Sequence, residues 1–156
     1  MSIADAAETS TLPKLLQRNA TADPKGPGMR EKTRGVWQTY DWAAYRDNVR
    51  DFALGLAAMG FRRGDKLSVV GDNRPQLYFA QLAAQALGGV SVPVYQDSIA
   101  SELVYVLNHA ETSVIVAEDQ EQVDKALSLK DKLPRLRWIV FDDPRGLSFY
   151  DDPILR

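Results

Sequence analysis

Four short stretches of this 156-residue chain carry side chains able to hold a cation or move a proton: Asp72-Asn73, Gln96-Asp97-Ser98, Glu118-Asp119 and Asp142-Asp143. Each follows an apolar run, and in an open parallel sheet ligands bind beyond the carboxyl ends of such runs. A cluster of carboxylates there would suit Mg²⁺, which prefers hard oxygen ligands. Asp and Asn are also the residues that cap helices and turn the chain after a strand, and this second reading is preferred. Other chemistries find little support. With no cysteine there is no thiolate metal site, cysteine nucleophile or disulfide framework, and the single His109 forms no imidazole cluster. His109 falls near a predicted helix end, where an imidazole favours the dipole, and is read as structural. The sequence has no GxGxxG, no GxxxxGK[ST] and no GxSxG, so neither a phosphate cradle nor a serine elbow is present. No residue is therefore assigned a catalytic, cofactor-binding or metal-binding role.

The elements that would position these residues centre on Lys66 to Tyr95, KLSVVGDNRPQLYFAQLAAQALGGVSVPVY. Leu67, Val69 and Val70 form the apolar run of a strand buried on both faces. Asn73 is expected to cap the following helix, with Pro75 in its first turn and Gly88 as its left-handed stop. A strand over Val90–Val94 completes a βαβ unit.

Upstream, Leu12, Leu15, Leu16 and Ala20 share one helical face after Ser10 or Thr11 as cap, and Asp23-Pro24 ends that helix. Met29–Lys32 and Val36–Tyr40 flank Thr33-Arg34-Gly35 and predict a hairpin at the sheet's edge. From Asp41, the residues Trp42, Tyr45, Val49, Phe52, Leu56 and Met59 recur by threes and fours, a long amphipathic helix stopped by Gly60. Downstream, a helix turns Leu103, Val106, Leu107 and Ala110 inward, and a strand spans Ser113–Ala117. A helix capped by Asp119 with Gln122 as a capping box then buries Val123, Ala126 and Leu127, before a last strand, Trp138–Phe141. Alternating helices and strands predict an α/β fold with a doubly wound, mainly parallel sheet and helices on both faces. Trp37, Trp42 and Trp138 are read as core or edge aromatics.

Nineteen basic against twenty-one acidic residues give a net charge of −2 and no basic stripe, which argues against nucleic acid. Asp5 and Glu8 interrupt the start where a secretory leader would be basic and then apolar, so the Asn19-Ala20-Thr21 sequon is not expected to be used. No run approaches the ~20 apolar residues of a membrane span, and a cytoplasmic protein is expected.

Gly64-Asp65, the strand after it, Asn73-Arg74-Pro75, the alanine-rich helix and Gly88-Gly89-Val90-Ser91-Val92-Pro93-Val94-Tyr95 resemble the amino-terminal region of adenylate-forming enzymes. Thr11-Leu12-Pro13, Tyr40-Asp41-Trp42, Ser101-Glu102-Leu103 and Trp138–Phe141 extend the likeness over nearly the whole chain. Within that superfamily the chain looks most like the long-chain fatty acid–CoA ligases, although Gln76-Leu77 stands where they often have an acidic residue and an aromatic. The resemblance implies a parent enzyme that uses ATP and Mg²⁺ to form an acyl-adenylate from a fatty acid, then transfers the acyl group to CoA. The family's phosphate loop, adenine segment, ribose-binding Asp and catalytic Lys are not in this sequence. The segment is therefore expected to be an inactive scaffold: a leading part (1–65), a βαβαβαβ core (66–143) and an orphaned tail (144–156), truncated at Arg156. Leu147, Phe149, Tyr150, Ile154 and Leu155 of that tail are expected to lack anything to pack on, and so to promote self-association. A different class remains in view, a self-contained receiver-like or flavodoxin-like signalling module, for which Asp72 would be a phospho-acceptor.

Overall fold

The computed structural model describes residues 10–156; the reading of Asp5 and Glu8 lies outside the described residues. A first helix, α1 (Leu12–Ala22), begins where the Thr11 side chain accepts a hydrogen bond from Lys14 N–H, with Pro13 in the first turn. Strands β1 (Pro27–Thr33) and β2 (Val36–Asp41) pair antiparallel. Arg34 (φ 49°) and Gly35 (φ 82°) form their two-residue turn, both left-handed as the twist of a tight hairpin demands. Helix α2 (Trp42–Ala58) is capped by Asp41, whose carboxylate accepts from Ala44 N–H.

Then come β3 (Lys66–Val70), α3 (Pro75–Ala86), β4 (Val90–Val94), α4 (Ala100–His109), β5 (Val114–Ala117), α5 (Gln120–Leu129) with a 3₁₀ turn (Lys130–Lys132), and β6 (Trp138–Phe141). The four strands pair parallel in the order β4-β3-β5-β6. This is the doubly wound α/β sheet that the alternation predicts.

Each face of the sheet has its own core. On the first face α1, α2 and α3 enclose Tyr45, Leu56, Phe61, Leu67, Phe79 and Val116. Rings interlock there: Tyr40 meets Phe79 edge-on at 5.4 Å, and Tyr45 lies 5.3 Å from Phe79. On the second face α4 and α5 enclose Leu103, Leu107, Ile115, Val123, Leu129 and Ile139, all aliphatic.

Several expectations are corrected. The hairpin forms a separate two-stranded sheet rather than joining the edge of the main one. Met29 and Tyr40 fasten it to the first core through side chains, and Gly28 lies so close to the Trp42 ring that a Cβ would sit 3.2 Å away. Asn73 does not cap α3. Pro75 occupies the first helical position, so the residue before it must be extended, and Arg74 (φ −96°, ψ 147°) is the cap without a side-chain bond. The capping box of α5 is half made: Asp119 accepts from Gln122 N–H at 3.2 Å, but the Gln122 side chain is buried and its Oε1 has no hydrogen-bond partner. Trp37 is 63% exposed near the hairpin turn, whereas Trp42 and Trp138 pack against the first core.

The tail is not orphaned. Leu147 is buried, and Tyr150, Ile154 and Leu155 pack against the second core, leaving Phe149 in solvent. Ile139 N–H donates to Ile154 C=O at 2.9 Å and Arg156 N–H donates to Ile139 C=O at 2.9 Å, so the tail runs parallel along the outer edge of β6. Lys130 pairs with Asp152, the Tyr150 hydroxyl donates to Asp124, and the Arg156 guanidinium lies 4.2 Å from the Trp138 ring centre. The opposite edge, β4, is open. Val90 N–H donates inward to Asp65 C=O, so by alternation Ser91 and Pro93 face outward, and the missing N–H of Pro93 falls on the free edge.

Candidate functional site

The strand order places the reversal of connection direction between β3 and β5, because β3 leads to α3 on one face and β5 leads to α5 on the other. That crevice is the position where open α/β sheets take ligands. Here it is filled from within. A Cβ at Gly71 would stand 2.5 Å from Glu118 Cβ, so only glycine admits the Glu118 side chain across the end of β3. Glu118 Oε2 accepts from Asp72 N–H, and its Oε1 accepts from Arg74 Nε at 2.9 Å. Arg74 Nη1 reaches on to Glu31 Oε1 of the hairpin at 3.3 Å. Glu118 and Glu31 are only 14% and 13% exposed, so this is a sheltered carboxylate–guanidinium–carboxylate bridge.

The bond to Glu118 holds the Arg74 guanidinium above its ordinary pKa. Asp142 stands nearby at an exposed position. Partial desolvation of its carboxyl first, then the carboxylates of Asp143, Glu118 and Glu31, push it above the usual range, with Arg74 acting in the opposite sense. Asp143 points elsewhere, bonded to Arg145, whose guanidinium lowers it.

The remaining sequence candidates gather at the other side of the sheet. Asp72, Asn73, Gln96 and Asp97 line a cavity of about 480 Å³ with Tyr78 and Tyr95, beyond the ends of β3 and β4. Within it Gln96 Nε2 donates to Asp72 Oδ1 at 2.7 Å and the Tyr78 hydroxyl donates to Asn73 Oδ1, while Lys125 Nζ, which is not part of the lining, donates to Gln96 C=O. Asp119 is spent on its cap, and Ser98 lies in the turn that leads into α4. His109 is the last residue of α4 and stacks on Tyr105 at 5.9 Å. The candidates thus divide into a central, arginine-bridged set and a peripheral, amide-linked set. Among the described residues no three His, Asp or Glu side chains converge so as to hold a metal ion.

Sequence reasoning missed the two residues that close the crevice, Arg74 and Glu31. A signal for Arg74 existed: the extended backbone that Pro75 imposes turns its side chain away from the helix. Glu31 had none, since its partner stands 43 residues away.

Parallel strands, crossover helices on both faces and an anion-lined carboxyl end define a doubly wound α/β unit. The chain belongs to the AMP-binding enzyme family, whose model matches residues 16–152. It is 39% identical over 116 residues to an uncharacterized protein of Mycobacterium tuberculosis, covering 74% of this chain and 65% of that protein. It is 28% identical to the long-chain-fatty-acid–CoA ligase heimdall of Drosophila melanogaster, over 83% of this chain and 20% of that enzyme. With 4-hydroxybutyrate–CoA ligase 2 of Metallosphaera sedula the identity is 31%, covering 79% and 22%. Among solved structures, acetoacetyl-CoA synthetase from Streptomyces lividans superposes with a TM-score of 0.80 at 25% identity, over 92% of this chain and 23% of that one. The Mycobacterium tuberculosis fatty acyl CoA synthetase gives 0.76 at 17% identity, over 87% and 27%. The chain therefore spans 65% of the mycobacterial relative's length and about a fifth of the ligases'. Among the described residues no helix is long and apolar enough to cross a membrane.

Proposed function

We propose that this chain is scaffold of the large domain of a cytoplasmic, ATP-dependent long-chain fatty acid–CoA ligase, and that by itself it does not catalyse. The observation that carries this reading is the closed crevice: Glu118 is committed to Arg74 and to the Asp72 N–H, and Asp119 to its helix cap. These residues do not suit a nucleotide triphosphate. Glu31, Glu118, Asp142 and Asp143 would repel its phosphates, and the sequence has no glycine-rich loop to turn backbone donors toward them. ATP, Mg²⁺, CoA and the fatty acid are accordingly assigned to the complete enzyme, and none to residues of this segment.

The division into a leading part (1–65), a core (66–143) and a tail (144–156) is kept in this proposal, with the tail as the strip of chain that seals β6. Flavodoxin-like modules share this strand order, so topology alone does not separate the two readings. The family match over residues 16–152 does.

The test is fatty-acid-dependent exchange of labelled pyrophosphate into ATP, run on this chain and on a complete family member that has a homologous segment replaced by it. Exchange in the chimaera and none with the chain is expected. Exchange by the chain alone would overturn the scaffold reading, and a folded chimaera inactive across acyl lengths would overturn the ligase assignment.

A further inference from the structure

Another cavity, of about 200 Å³, opens where α2 and the start of α3 meet the carboxyl ends of β5 and β6. Both helices build it in the same way. Asn48 and Phe52 stand four apart on α2, and Gln76 and Phe79 stand three apart on α3, so each helix turns one amide and one ring toward the same space. The sheet supplies Val116 and Val140, paired neighbours of β5 and β6, then Phe141 and Asp142, and Tyr40 closes the side next to the hairpin. Phe79 and Val116 are 4% and 2% exposed, whereas Asn48 and Asp142 stand at exposed positions, so the cavity has an apolar floor and a polar mouth.

Its unpaired polar atoms are of one kind. Gln76 Oε1 is buried and accepts no hydrogen bond. Asn48 spends its Nδ2 on Ala44 C=O, which leaves its oxygen as the free end of the amide. The Asp142 carboxylate has no ion-pair partner among the described residues, because the Arg74 guanidinium that acts on it is bonded to Glu118 and Glu31. Partial desolvation, then the charges of Asp143, Glu118 and Glu31, hold the Asp142 carboxyl above its usual range, and burial, then Glu31 and Asp142, do the same for the Tyr40 hydroxyl. Both shifts mark a place short of positive charge.

We propose that this cavity binds a small primary alkylammonium ion, its N–H groups on Gln76 Oε1, Asn48 Oδ1 and the Asp142 carboxylate and its alkyl chain against Phe52, Phe79 and Val140. Three observations choose this occupant. The unpaired atoms are acceptors, which a ligand with three N–H donors satisfies and an anion does not. Among the described residues no three His, Asp or Glu side chains converge to hold a metal ion. The rings of Tyr40, Phe52, Phe79 and Phe141 favour an organic cation over a hydrated inorganic one. The inference does not rest on the ligase reading, since none of these residues belongs to the arginine bridge.

Two-dimensional ¹H–¹⁵N NMR of the 156-residue chain, titrated with n-butylammonium chloride at constant ionic strength and neutral pH, tests it. Saturable shifts are expected at Asn48, Gln76, Phe79 and Asp142, the Gln76 side-chain amide among them, with none from n-butyrate, which has the same length and the opposite charge. Nα-acetyl-lysine methylamide should bind more weakly; tighter binding would assign the pocket to a lysine side chain of a polypeptide and overturn the free amine. Asp142→Asn should weaken butylammonium roughly tenfold or more, the scale of one charge-assisted hydrogen bond. Gln76→Leu should weaken it by a similar factor and, by removing a buried unpaired acceptor, raise the thermal midpoint of the free chain, a pair of changes that a purely structural role for Gln76 does not produce. If that variant fails to fold, Asn48→Ala at its exposed position carries the expectation of weaker binding. Shifts confined to Asp142 and reproduced by potassium chloride would mean screening of a carboxylate and would overturn the proposal. So would equal responses to butylammonium and butyrate, the absence of a saturable response, or butylammonium affinity unchanged in Asp142→Asn.

Discussion

The two faces of the sheet solve the same burial problem with different materials. The first is covered by a 17-residue helix, a second of 12 residues, and aromatic rings that interlock across elements. The second is covered by two helices of 10 residues each and completed by an irregular tail. Alanines at 80, 83 and 84, all fully buried, let α3 lie close on the first face, whereas the second is filled by branched aliphatic side chains. Helix ends differ as well. Helices α2 and α3 stop on Gly60 and Gly88, at φ 83° and 75°, while α4 stops on Glu111 at φ 54° with the same pattern of backbone bonds. The difference teaches that the first face is closed by regular helices with local stop signals and the second is completed by a segment without regular structure.

The comparison can be broken most forcefully in the cores. Leu56→Ala and Leu107→Ala each delete a side chain at most 1% exposed and should cost about 2–5 kcal/mol, measured by urea unfolding. Leu56→Ala is expected to lie at the upper end, because the core it belongs to is held by interlocked rings that resist collapse into the space.

Removing residues 144–156 comes next. Loss of the contacts of Leu147, Ile154 and Leu155 should cost roughly 2–4 kcal/mol. Hydrogen exchange should rise in α4, α5 and β6 and stay unchanged in α1 to α3. Equal rises on both faces would show that the faces are not separate units.

Arg74→Ala removes an ion-paired bridge that ties the hairpin to the sheet's carboxyl end. The expected cost at neutral pH is about 1–2 kcal/mol, less than for an enclosed pair because the Arg74 side chain is 41% exposed. A double-mutant cycle with Glu118→Gln should show the coupling.

Asp142→Asn should act in the stabilising direction. Its folded pKa is raised, so the folded state binds the proton more tightly than the unfolded state, and stability falls as pH climbs from the unfolded value through the folded one. The variant's gain in melting temperature should be full at neutral pH and vanish below the unfolded carboxylate range.

The smallest change is Glu111→Gly, which should add about 0.5–1 kcal/mol by relieving a left-handed side chain, less whatever the exposed pair with Lys66 contributes.

What the sequence disclosed follows the same division. The four strands, a first cap at Ser10 or Thr11, the Asp119 cap and the Gly60 and Gly88 stops are all written within a few neighbouring residues; the structure has them, with Thr11 as the first cap, and adds Asp41 as the cap of α2. Glu111 as a stop was not legible, because nothing in its side chain favours positive φ. The bridge from Arg74 to Glu118 spans 44 residues, and no local pattern encodes it. The tail has no period because it is held by one bridge at Leu155, a few turns and scattered apolar contacts rather than by a repeating ladder. With the tail packed, the expectation that it drives self-association loses its basis. The candidate site was legible as a set of strand ends and illegible as geometry, since which carboxylates face each other is decided by strand order.

The proline on the outer side of β4 has a consequence for synthesis. A parallel sheet is slow to assemble, and while it waits its open ladders can recruit other nascent chains. Here one border is sealed by the tail, and the other offers a ladder with a gap at Pro93. Once residues 144–156 have docked, the four-stranded sheet therefore presents no uninterrupted border to a neighbouring chain.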